Sequence, residues 1–169
     1  MINAISEIKT IGDIISYTRL ALAKNLFTIL KIDPSKEITN NIIGLFNLDQ
    51  DALLCDGNVD LYGSDIFNLD DNEIEELFIN KYGLKITADK FEKAIESLNF
   101  VTNDMIDISL VEQDGGGEGG SEYCSSVLKI GDKFFRINYT YQSHVGFDFW
   151  QGSPAEQVRP QKVEVIKYL

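Results

Sequence analysis

The segment Asp114-Gly115-Gly116-Gly117-Glu118-Gly119-Gly120-Ser121-Glu122-Tyr123 cannot be the interior of a helix or a strand. Glycine loses more backbone entropy on ordering than any other residue, and only Glu118 interrupts this run. The run predicts a loop over residues 114–121, and it separates two kinds of pattern. Before it, apolar residues recur mostly every three or four positions; after it, they alternate. The expected architecture is α+β, with N-terminal helices packed on one face of a C-terminal antiparallel β meander of four to five strands. Residues 1–104 form the mainly helical part and residues 105–169 the sheet part, together one combined domain.

In the helical part, Ile2, Ile5, Ile8 and Ile11 follow a helical spacing, and Gly12-Asp13 offers a break and a new N-cap. From Ile14 to Leu30 the apolar positions run nearly all round, as in a helix buried on several sides. Asp33-Pro34 reads as the N-cap and first residue of the next helix, with Ile38, Ile42, Leu45 and Phe46 as its stripe. Between Asp49 and Asn68 the pattern is poor. Asp70 or Asp71 caps a helix with Ile74, Leu77, Phe78 and Tyr82 on one face and Gly83 at its end. Thr87 caps another, with Phe91, Ala94, Ile95 and Leu98 facing inward and Ile86 stapled to Phe91.

Beyond Asp104 the period falls to two. Strands are expected over 105–112, 123–130 and 133–142, with Gly131-Asp132 as a hairpin turn. Ser143 to Gly146 turns the chain into Phe147-Asp148-Phe149-Trp150. Residues 151–156 read as loop, and residues 163–166 as the last strand.

Chemical motifs fail on context. Gly115-x-Gly117-x-x-Gly120 fits the dinucleotide fingerprint in spacing, yet a strand follows it where a phosphate-binding helix N-terminus is needed. Asp56, Asn58 and Asp60 alternate as in a calcium loop, but Leu61 and Phe67 stand where glycine and glutamate belong. One histidine and two distant cysteines cannot supply an ordinary zinc site. A Cys124–His144–Asp148 triad is conceivable, because residue 124 pairs near 139 in the expected hairpin. So is acid–base chemistry by Glu118 and Glu122. Neither is favoured over a loop and a strand without catalytic role, and no catalytic residue, metal or cofactor is assigned.

Charge is more informative. Residues 49–80 hold ten acidic and no basic side chains, almost the whole of the net −12. Such a stretch repels nucleic acid and membrane surfaces and attracts cationic partners, unless it serves only as a solvated face. No apolar run approaches the ~18 residues of a membrane span. The N-terminus lacks a basic region and cleavage site, and Cys55 and Cys124 read as free thiols. A cytoplasmic location is expected.

The strings Gly117-Glu118-Gly119-Gly120-Ser121-Glu122-Tyr123, Val127 to Arg136, and Tyr139-Thr140-Tyr141-Gln142-Ser143-His144-x-Gly146 resemble small proteins of tailed bacteriophage genomes, as does the ending from Val158 to Tyr168. Gln161 departs from an acid expected there. The resemblance is confined to the C-terminal third. It implies a phage or prophage setting inside a bacterial host cell and brings no settled activity with it.

The sequence therefore leads to binding rather than catalysis. The first expectation is a protein that engages a host or defence protein with a basic surface, using Asp70, Asp71, Glu73, Glu75 and Glu76 to occupy a cationic nucleic-acid-binding groove. The second is an immunity-type or structural module whose interface lies on the sheet, with Tyr139, Tyr141, His144, Phe147 and Trp150 as an aromatic anchor, about half of which read as core. A cysteine-dependent hydrolase is third. No direct contact with nucleic acid or membrane is expected.

Overall fold

The computed structural model describes residues 4–61, 64–100, 106–115 and 122–163, without the side chains of 99 and 100. Among the described residues five α-helices precede five strands: α1 Ile11–Leu30, α2 Lys36–Leu45, α3 Gln50–Asp56, α4 Asp71–Glu75 and α5 Ala88–Phe100, then β1 Ile108–Asp114, β2 Tyr123–Ile130, β3 Lys133–Gln142, β4 Gly146–Asp148 and β5 Ala155–Val158. The α+β expectation holds, with the helices N-terminal and the sheet antiparallel throughout.

The sheet runs β1-β2-β3, and the far edge of β3 is shared. Its C-terminal half pairs with β4 through Thr140↔Asp148, and its N-terminal half with β5 through Ile137↔Ala155. Strand alternation puts Cys124, Ser126, Leu128 and Ile130 on one face beside Phe135, Ile137 and Tyr139, all of them buried. This face meets the helices. One continuous hydrophobic cluster takes in Ile14, Leu26, Ile42, Phe78 and Phe91 together with Leu128, Phe135 and Ile137. α1 is its spine, packing against α2 and α5, while α3 lies on β1 and β2.

Several boundaries differ from the sequence reading, each for a local reason. Thr10, not Asp13, caps α1: Asp13 is the third helical residue, and its carboxylate reaches back to the Lys9 and Thr10 N–H groups at 3.0 and 2.9 Å. The Ile11 and Gly12 N–H groups donate to the Ser153 and Gln151 carbonyls, so tertiary partners satisfy orphan donors there. A Cβ at Gly12 would stand 3.1 Å from the Gln151 oxygen. α2 is capped by Ser35, whose hydroxyl accepts from the Ile38 N–H, rather than by Asp33. α3 occupies part of the stretch that showed no pattern, because a seven-residue helix spans too few turns to display a stripe.

On the sheet side, β2 and β3 lie where the alternation places them. β1 begins at Ile108 and runs on to Asp114, with a bulge between Leu110 and Glu112. β5 forms at 155–158, overlapping what reads as loop, because Gly152-Ser153-Pro154 is a turn that returns the chain to β3. Of the expected last strand, Val163 lies outside any strand and residues 164–166 fall outside the described residues, as do Met105 and residues 116–121 of the glycine-rich loop.

Candidate functional site

The acidic helix is built by a reciprocal cap. The Asp70 carboxylate accepts from the Glu73 N–H at 2.8 Å, and the Glu73 carboxylate accepts from the Asp70 N–H at 2.9 Å. Ile74 and Phe78 go into the core, where Phe78 packs on Phe91 with ring centroids 5.4 Å apart. The helix continues as a π turn over Glu76–Asn80 and stops at Gly83, whose φ of 66° is left-handed.

Packing inward at Ile74 and Phe78 leaves Asp70, Asp71, Glu73, Glu75 and Glu76 exposed on one short element. Their roles differ. Asp70 and Glu73 are held by the cap, and Glu76 accepts from the Asn80 amide at 3.0 Å. The side chains of Asp71 and Glu75 form no hydrogen bond, and none of the five pairs with a cation, among the described residues.

Beside this helix runs an open groove of about 990 Å³, with α2 as its other wall. Asn41 and Leu45 come from α2, Leu69 from the approach to α4, and Leu77 and Lys81 from the helix itself. The three leucines are half-buried and form an apolar floor. Asp70, Glu73 and Glu76 line the acidic side. The one cation among its described lining residues, Lys81, sits 3.9 Å from Glu37 and 5.4 Å from the centre of the Tyr82 ring. Tyr82 accepts a 2.6 Å hydrogen bond from Asn41, which ties the two walls together. Leu69 also borders a smaller cleft of about 180 Å³, floored by Ile66, Ile74 and Phe91 and edged by Glu92 and Glu96. Reading the acidic stripe alone missed α2, the leucine floor and Lys81. Leu69, immediately before an N-cap and in line to staple to Ile74, was the available signal.

The aromatic residues divide. Tyr139 is 5% exposed, and Tyr141 and Phe147 are half-buried. With Phe149 they make a cluster in which Tyr139 and Phe149 stand 4.8 Å apart, centre to centre. Trp150, 73% exposed, and His144, in the β3–β4 turn, face solvent.

Cys124 pairs with Tyr139 as expected, but its thiol is buried, and burial followed by the nearby Asp114 carboxylate pushes its pKa up. A nucleophilic cysteine needs the opposite shift. Among the described residues no three histidine, cysteine, aspartate or glutamate side chains gather to hold a metal. None of the described helices is long and apolar enough to cross a membrane.

No family model, curated protein or solved structure matches this chain. The chemistry of the exposed helix and its groove therefore carries the functional reading.

Proposed function

We propose that this chain is a non-enzymatic, phage- or prophage-type protein that binds a host or defence protein in the bacterial cytoplasm, acting as an acidic inhibitor of a cationic nucleic-acid-binding groove. The observation that carries the reading is the set of five exposed carboxylates on α4 and the residues flanking it, without a cationic partner among the described residues. Two of them are fixed in place by the helix cap. A rigid array of negative charge can substitute for backbone phosphates, and electrostatic steering speeds its capture.

The test is affinity capture of the tagged protein's partners from a bacterial lysate at low salt, followed by a salt gradient. The expected result is elution of one basic, nucleic-acid-handling protein at moderate salt, with its nucleic-acid binding blocked by added protein. Retention that ignores ionic strength would exclude this mode of binding. A second reading places the interface on the sheet, supported by the exposure of Trp150 beside the β4–β5 turn; it predicts capture that is insensitive to salt and lost on Trp150→Ala.

A further inference from the structure

We infer that the groove between α2 and α4 receives an amphipathic helical segment of the basic partner, apolar side chains against the leucine floor and lysine or arginine side chains over the acidic wall. This rests on the proposed function and names the part of the partner that is recognised. Charge alone would be served by a flat or convex acidic helix. Here the carboxylates of Asp70, Glu73 and Glu76 border a concave surface whose floor is Leu45, Leu69 and Leu77. Apolar side chains at half-burial gain by being covered, at about 25 cal/mol per Å² of apolar surface removed from water.

An amphipathic helix presents an apolar stripe flanked by polar positions, the complement of an apolar floor with one charged wall. The adjoining cleft repeats the arrangement on the other side of Leu69, with Glu92 and Glu96 at its edge. Lys81 is paired with Glu37, which leaves the wall of Asp70, Glu73 and Glu76 to the guest's basic side chains.

The probe is a fluorescein-labelled synthetic helix of leucine and lysine, about 14 residues long so that it can form a helix on its own. A scrambled peptide of the same composition, without the stripe, is the control. The full chain is titrated by fluorescence anisotropy and by backbone amide shifts. The striped peptide is expected to bind about tenfold more tightly than the scrambled one, a difference of ~1.4 kcal/mol. Amide shifts should concentrate at Asn41, Leu45, Leu69 and Leu77.

Leu69→Gln and Glu76→Gln should each weaken the striped peptide severalfold, and Asp132→Asn, in the β2–β3 turn, should leave it unchanged. Should Leu69→Gln fold poorly, Glu76→Gln and the amide shifts decide. Equal binding of both peptides, or shifts centred on the sheet, overturns the groove while leaving salt-sensitive capture by the acidic helix intact. Striped-peptide binding in the groove without any salt-sensitive partner in the lysate supports the groove and overturns the proposed function instead.

Discussion

The Tyr139 hydroxyl lies 2.8 Å from the Ser126 hydroxyl on the neighbouring strand, inside the core between sheet and helices. The Gln113 amide donates to the same tyrosine oxygen at 3.1 Å, and the Cys55 thiol of α3 adjoins it. One phenol therefore satisfies polar groups from β1, β2 and α3. Tyr139→Phe removes their common partner and should destabilise the fold by about 1–3 kcal/mol. Ser126→Ala, which leaves the Gln113 bond in place, should cost less. Urea denaturation of the two variants checks the order.

The same cluster sets an alkaline limit on stability. Burial is the main cause that pushes the Cys55 thiol up from 9.0 to about 11 and the Tyr139 phenol up from 10.0 to about 12. Both groups bind their protons more tightly folded than unfolded. Their contribution is complete below the unfolded values and is lost as pH rises through the folded ones. Stability should fall from above pH 9.0 and continue falling to about pH 12. In Cys55→Ala the fall above 9.0 should become shallower, because Cys124, also pushed up from 9.0, remains, and the tyrosine adds its share from 10.0. Denaturation midpoints measured across that range test it.

Three glycines should respond differently to alanine. Gly57 has a φ of 62°, and a Cβ there would overlap the Leu110 backbone nitrogen, so Gly57→Ala should cost about 3 kcal/mol or more. Gly83 has a φ of 66° but open space around it; Gly83→Ala should cost only the left-handed penalty of about 1–2 kcal/mol. Gly44 is exposed within α2 with nothing near, so Gly44→Ala should stabilise the protein by about 1 kcal/mol. Thermal melts rank the three.

Charge and capping on α4 can be separated by mutation. Glu75→Gln should leave stability within about 0.5 kcal/mol of the original, because its side chain bonds to nothing among the described residues. Asp70→Ala should cost about 1 kcal/mol through the lost cap. Both should weaken salt-sensitive capture of a basic partner. Comparing melting temperature with capture for each variant shows which effect is which.

Where the sequence was legible, it was so through side-chain period. The β2–β3 hairpin could be placed to the residue because Phe135, Ile137 and Tyr139 alternate with Phe134, Arg136 and Asn138 on either side of a Gly131-Asp132 turn. Asp70, Thr87 and Gly83 were readable because caps are local chemistry. What escaped were the competing local caps at Thr10 and Ser35, the short α3, and features set by distant partners. Gly12 is helical because carbonyls from residues 151 and 153 meet its end of α1, and β5 exists because β3 offers it an edge. The groove escaped for the same reason: its two walls are some thirty positions apart, from Asn41 to Leu69 and beyond.

The docking of Gln151 and Ser153 onto the start of α1 also has a temporal meaning. A ribosome delivers Ile11 and Gly12 early and the carbonyls that complete their turn only after most of the chain has emerged. The first helix must therefore wait, its leading N–H groups served by water, until the β4–β5 turn arrives. The same chain halted before Gln151 would have the spine of its core but not the clasp, and pulse-labelled hydrogen exchange on stalled nascent chains should find the Ile11 and Gly12 amides protected last.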